Sequence, residues 1–425
     1  MERSPPCLSL GDISASRLKT SEGRRGRSEP RSAGKASAIA DLRDKAESGD
    51  SDPRAMDLNH KRVLIIKPSS LGDVVHALPV VHAIKRGYPQ CYVAWIVQSS
   101  FAGILENDPT IDELIPIAIP STSDPAAQRG AYRKAALATA ASIRDLRRRF
   151  HRSPFDLALD LHASFRSGLF GLACRGARRI GFSDAKELNT WFQHELVQCS
   201  EAAVHAVDKN LEYARYLGVE PKPEDFRVVV GDQQRQRVQS FLAERGVAGG
   251  ARLVYVNPCA RWATKLWNVD AWAKVCGQLR ERSGMHIVLG GAASDRPYLD
   301  AIRAAAHTDL LITAGELSLS ESAALLELSD LYLGVDSGPM HIAAFLDTPV
   351  VALFGPTDPA KVGPYGEGHE VVRREGLPCL GCRKRSCDNR RCMDELDPVE
   401  LAQICQAVLA RRSTARSCLS RGFKS

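Results

Sequence analysis

Twice along the chain, short apolar runs alternate with helix-like segments, and most of these runs end in Gly, Pro, Asp or a polar turn. The first series is RVLII (62–66), CYVAWIVQ (91–98), LIPIAI (114–119), FDLALDLH (155–162) and RRIGF (178–182). The second is LVYVNP (253–258), HIVLGG (286–291), LLITAG (310–315), LYLGVDSG (331–338) and VVALFGP (350–356). Near-continuous apolar runs suit strands buried on both faces, as parallel sheets require. The rhythm therefore predicts an α/β protein made of two doubly wound halves. The boundaries read as 59–240 and 250–408, joined through the Gly-rich VAGGAR, with a cleft between the halves. A two-substrate transferase could use each wall for one substrate.

Composition sets the outer limits. The 425 residues are 44% apolar and 25% charged, ordinary for a soluble chain with sizeable cores. No apolar run approaches the ~20 residues of a membrane span, and the N-terminus lacks the apolar stretch of a secretory signal. Twelve scattered cysteines without such a signal suit reduced thiols in a cytoplasm. Residues 1–58, rich in Ser, Arg, Gly and Asp, read as a disordered extension. Met56 precedes the first strand, so residues 1–55 read as an upstream start or a dispensable extension. Residues 371–425 carry twelve Lys/Arg against six Asp/Glu, and 409–425 read as a basic tail. Such charge suits anionic lipid headgroups, phosphorylated glycolipid or nucleic acid. No aromatic-interleaved or helix-turn-helix pattern supports nucleic acid as the partner.

Three junctions between strand and helix carry candidate chemistry. After Ile66, Ser69, Ser70 and Gly72 form a polar turn and Asp73 opens a helix, at the sheet edge where α/β proteins bind ligands. Asp73 is either a base facing the cleft or an ordinary first-turn acid favoured by the helix dipole. After 258, Arg261 and Lys265 precede a helix, as a phosphate clamp or as solvated surface cations. After 335, Asp336, Ser337 and Gly338 turn into a helix with Pro339 near its start, and His341 follows one turn in. Free N–H groups at such a start bind phosphate. His341 either donates to an anionic oxygen or is a buried helical histidine.

KPSSLGDVVHALP (67–79) resembles the N-terminal signature of the ADP-heptose:lipopolysaccharide heptosyltransferases, the family 9 glycosyltransferases. The likeness extends over roughly 61–408, through the Lys265-Leu266-Trp267 stretch and LYLGVDSGPMHIAAFLDTPVVALFGPTDP (331–359). It implies the GT-B architecture, two Rossmann-like domains facing a central cleft, in which the final helices usually return to the first domain. It implies Asp73 as catalytic base, and Lys265, Asp336, Ser337, Gly338 and His341 as donor-site residues. Asp295 stands where the family often has a Glu near the nucleotide. Ser69 and Ser70 in the turn, and Arg166 after the fourth strand, fall on the acceptor side. The implied reaction is inverting transfer of heptose from ADP-heptose to a lipopolysaccharide inner-core acceptor. The implied partners are an ADP-sugar and a lipid-linked acidic saccharide, met in the cytoplasm at the inner-membrane surface. Transfer of another nucleotide sugar in cell-envelope synthesis, or non-catalytic binding of such ligands, are the alternatives.

No cofactor is required by this reading. Within the two halves there is no Asp-x-Asp metal motif, no Gly-Lys-Ser/Thr loop, and no Gly-x-Gly-x-x-Gly after a strand. Cys379, Cys382, Cys387 and Cys392, spaced C-x2-C-x4-C-x4-C, could close a tetrahedral structural zinc site. Reduced thiols without metal are the other reading.

Overall fold

In the computed structural model, which describes residues 56–120 and 130–422, the two series of apolar runs form two all-parallel sheets. In the first sheet β1 (Arg62–Ile66), β2 (Tyr92–Gln98), β3 (Glu113–Ile117), β4 (Leu157–Asp160), β5 (Arg178–Phe182) and β6 (Glu195–Val197) lie in the order β3-β2-β1-β4-β5-β6. Val63 and Ile65 face one apolar cluster and Leu64 and Ile66 another. That is why this strand shows no polar alternation. The connecting helices are α1 (Leu71–Val75), α2 (Leu78–Gly87), α3 (Ala131–Arg152), α4 (Phe165–Gly171) and α5 (Ala206–Tyr216). On α3, Leu146 and Phe150 are buried while Arg144, Arg147, Arg148 and Arg149 face solvent.

Helix α6 (Asp232–Ala243) leads to the second sheet, where β7 (Leu253–Asn257), β8 (His286–Leu289), β9 (Leu311–Ile312), β10 (Leu331–Val335), β11 (Val350–Leu353) and β12 (Glu370–Val372) take the order β12-β11-β10-β7-β8-β9. Its helices are α7 (Val269–Ser283), α8 (Arg296–Ala306), α9 (Leu319–Leu328), α10 (Gly338–Phe345), the short α11 (Pro359–Val362) and α12 (Arg391–Asp394), and α13 (Pro398–Gly422).

In each sheet the winding reverses direction at one place, between β1 and β4 and between β7 and β10. Crevices open at the carboxyl ends of strands flanking such reversals. The candidate loops follow β1, β4, β7 and β10. One apolar cluster runs from Val63 and Ile65 through Val74 and Val75 to Met340, Ile342 and Phe345, so the halves share a core. Arg235 on α6 donates to both carboxylate oxygens of Glu327 on α9, at 2.7 and 2.9 Å.

Two expectations change here. The last helix stays with the second half, because Leu401, Ala402, Cys405 and Val408 bury against Val254, Leu279 and Leu331. Residues from 409 continue that helix to Gly422 rather than forming a separate tail. No helix among the described residues is long and apolar enough to cross a membrane. The expected disordered extension, apart from Met56 to Leu58, lies outside the described residues.

Candidate active site

The first wall grows out of β1. Lys67 is buried, its ammonium donating to the Leu161 carbonyl at 2.7 Å, while Trp95 Nε1 donates to the Lys67 carbonyl at 3.1 Å. These contacts fix the loop before α1. Ser70 is the N-cap, and Asp73 three residues on accepts from the Ser70 backbone N–H at 2.8 Å and its hydroxyl at 2.7 Å. Both bonds end on Oδ2. The helix-acid reading is thus correct for one oxygen, and Oδ1 keeps its lone pairs on a residue that lines the cleft. Burial pushes the Asp73 carboxyl up, yet the Lys67 ammonium and the Ser70 bonds outweigh it and hold the group below its ordinary value. Burial and the Lys67 charge push neighbouring His162 down to about 4, with Asp73 opposing and Arg166 adding a smaller push.

The second wall is set by β7 and β10. Lys265 donates to Asp336 Oδ2 at 2.6 Å and reaches its carbonyl at 3.3 Å, with the ammonium 4.7 Å from the Trp262 ring centre. Asn257 at the end of β7 donates to Ser337 Oγ at 2.7 Å, holding the turn that begins α10. Thr357, in the loop after β11, lines the same cleft, and its buried Oγ1 has no partner. A buried hydroxyl left unpaired is uncommon enough to suggest a ligand partner.

The walls meet where α1 crosses α10. A Cβ on Gly72 would lie 2.5 Å from His341 Cδ2, and one on Gly338 would lie 2.6 Å from Leu71 Cδ2. Each glycine is required by a residue of the opposite half. One turn on, His76 Nε2 and His341 Nδ1 are hydrogen-bonded at 2.9 Å. The cleft encloses about 480 Å³ and brings together Ser70, Asp73, Lys265, Asp336 and His341, residues up to 271 apart in sequence. Ser69, Ser337 and Gly338 are their backbone neighbours rather than lining residues.

Other candidates lie outside. Arg166 is half-buried in the first turn of α4, near enough to His162 to act on it. Asp295, expected at the nucleotide, caps its own turn by accepting from the Ala292 N–H at 2.8 Å and does not line the cleft. For the cysteine segment, read as a zinc site or as reduced thiols, no group of three or more His, Cys, Asp or Glu among the described residues is placed to hold a metal. Cys379, Cys382 and Cys387 are exposed, and Cys392, packed against Gly355, lies near enough to all three for their charge to act on it. The segment serves the cleft differently. Gly381 N–H and Arg383 N–H donate to the Gly355 and Pro356 carbonyls at 3.0 and 2.7 Å, bringing Leu380 and Arg383 to the rim.

Sequence reasoning missed Lys67, His76, His162, Thr357 and Arg383. Lys67 and His76 stand inside the quoted signature, and a buried lysine at a strand end was the available signal.

A family model described as glycosyltransferase family 9 (heptosyltransferase) matches residues 143–393, more than half of the chain. The chain belongs to glycosyltransferase family 9. Family members similar to it include lipopolysaccharide heptosyltransferase 1 of Pseudomonas aeruginosa, 28% identical over 84% of this chain and 100% of that one. Lipopolysaccharide core heptosyltransferase OpsX of Haemophilus influenzae is 26% identical over 73% of this chain and 84% of its own. Among solved structures, a family 9 glycosyltransferase from Veillonella parvula superposes with a TM-score of 0.71 at 20% identity, covering 84% of this chain and 99% of that one. E. coli heptosyltransferase WaaC with ADP gives 0.62 at 24%, covering 82% and 99%. These structures are GT-B enzymes, and the family 9 chain described here shares their architecture of two facing parallel sheets.

Proposed function

We propose that this family 9 glycosyltransferase moves heptose from ADP-heptose to a lipopolysaccharide inner-core acceptor, with inversion at the anomeric carbon. The observation that carries the proposal is the pairing across one cleft of Asp73 on one wall with Lys265 and the start of α10 on the other. Heptosyltransferases of the lipopolysaccharide core among its relatives support the choice of sugar and acceptor.

The chemistry follows from the walls. Asp73 is ionised at neutral pH and takes the proton of the acceptor hydroxyl through Oδ1 as that oxygen attacks the anomeric carbon. The bond from that carbon to the ADP oxygen breaks, and its electron pair leaves with the diphosphate. Attack from the face opposite the leaving group inverts the configuration. Lys265, the N–H groups opening α10 and His341 stabilise the departing charge. The Lys265–Asp336 pair keeps the ammonium aimed before the donor arrives. Lys265 supplies positive charge, and the N–H groups of the α10 start and of His341 supply hydrogen bonds, where other transferases use a divalent metal. Asp295, outside the cleft, has no part in this reading.

On the acceptor side, Ser69, Ser70 and Arg166 face an acidic saccharide. Close to Arg166, Phe165 is 45% exposed, Leu188 53% and Trp191 78%, an apolar rim suited to the lipid part of the acceptor and to the membrane surface that bears it.

The test is nucleotide release by the purified chain with ADP-heptose, UDP-sugars and GDP-sugars, each with and without a lipid-linked core saccharide. Acceptor-dependent release of ADP alone is expected. Release from another nucleotide sugar would change the donor, and no release with any acceptor would favour a binding protein.

A further inference from the structure

We propose that His76 is a positioning residue that sets the tautomer of His341: His76 Nε2–H donates to His341 Nδ1, so His341 presents Nε2–H to the cleft. The inference rests on the reading that His341 meets the donor's diphosphate.

The two rings are 2.9 Å apart at the bonded nitrogens and meet edge to face, with centroids 4.2 Å apart. Both are buried, which disfavours imidazolium; burial takes His341 down to about 4 and His76 well below its ordinary value. At neutral pH each ring therefore has one N–H, and one of them must be the donor. His76 Nδ1 decides which. It is buried and has no partner. The His205 ring, with its centroid 5.3 Å away, is already committed: Nε2 meets the Gly363 carbonyl at 3.1 Å, and Nδ1 accepts from the Val207 N–H at 3.1 Å. If His76 were the acceptor, its only N–H would sit on Nδ1, buried without an acceptor. Orphaned buried N–H groups are rarer than unused acceptor lone pairs. Donation from Nε2 leaves only a lone pair unused.

The charges around His341 point the same way. The carboxylates of Asp336 and Asp73 favour positive charge on its ring against His205 and Lys265, and Lys265 is already paired with Asp336. An N–H on the cleft side is a donor to a phosphate oxygen, whereas a bare nitrogen would repel one. A residue of the acceptor wall thus decides whether the donor wall can accept an anion. His76 itself is held by Asn210, whose Nδ2 donates to its carbonyl at 3.0 Å.

The test uses the full chain with ¹⁵N-labelled histidine. Long-range ¹H–¹⁵N spectra report the tautomer of His341, assigned against His341→Gln, and calorimetry reports ADP affinity. Wild type should show His341 as the Nε2–H form. His76→Phe keeps a ring but removes the donor, and should mix the tautomers and weaken ADP about tenfold or more, as for one hydrogen bond to a charged group. His76→Gln restores an N–H and should restore both the tautomer and most of the affinity, with melting temperature as the control for folding. A wild-type His341 in the Nδ1–H form overturns the assignment even if His76→Phe fails to fold. So does His76→Phe with unchanged tautomer and affinity. Wild type that binds no ADP overturns the donor-site reading instead, while the spectra still decide the role of His76.

Discussion

At the scale of single residues, the two oxygens of Asp73 sit in different surroundings. Oδ2 is held by Ser70 as in any capping box, while Oδ1 is left to the cleft. A cap and a base ask for the same residue at the same helix position, so sequence alone leaves both readings open. The pairing of Lys265 with Asp336 was equally hidden, since 71 residues separate them and only the β7–β10 neighbourhood joins their loops. Lys265→Ala should weaken ADP binding by about 1.5–3 kcal/mol, because a charge-assisted contact to phosphate goes and Asp336 is left uncompensated beside it. Calorimetry giving equal affinities would remove Lys265 from the donor site. Thr357 and His76 were invisible in sequence for a simpler reason: an unpaired buried atom can be recognised only once its surroundings are known.

Among the elements, the crossing of α1 and α10 governs the site. Adding one methyl at Gly338 drives a Cβ to 2.6 Å from Leu71 Cδ2, with the Leu71 Cβ itself only 2.9 Å away, so helix backbones must separate. Gly338→Ala should therefore cost roughly 1–3 kcal/mol, the usual range for overpacking, and lower turnover along with the melting temperature. A mutant with wild-type melting and turnover would mean the helices do not cross this closely. Ten of the twelve described strands were readable, even the two-residue β9, because each lies in an apolar run that leads into a turn. β6 and β12 were not, being three-residue edge strands with half-exposed, polar members. The part played by the cysteine segment was not legible either. Spacing leaves zinc and free thiols both open, and nothing in it marks the backbone bonds to Gly355 and Pro356 that bring Leu380 and Arg383 to the cleft.

For the molecule as a whole, burying neutral histidines makes stability depend on pH. His162 and His341 titrate near 4 in the folded state and near 6.5 when unfolded, and His76 is shifted the same way. Between these values the unfolded chain binds more protons, so stability rises with pH. It is fully present above 6.5 and is lost as pH falls toward 4. Melting temperatures should drop across that window, and His162→Asn should flatten the drop; a flat wild-type profile would contradict neutral burial. The cleft itself joins a base on one half to a diphosphate clamp on the other, and Asp73→Asn separates these functions because it keeps the shape and removes the basic oxygen. The decisive measurement is the pair of ADP-heptose turnover and ADP affinity for wild type and Asp73→Asn. Turnover should fall by about 10²–10⁴-fold while affinity stays within roughly twofold. Loss of both together would make Asp73 a donor ligand or a cap alone, and unchanged turnover would place the base elsewhere.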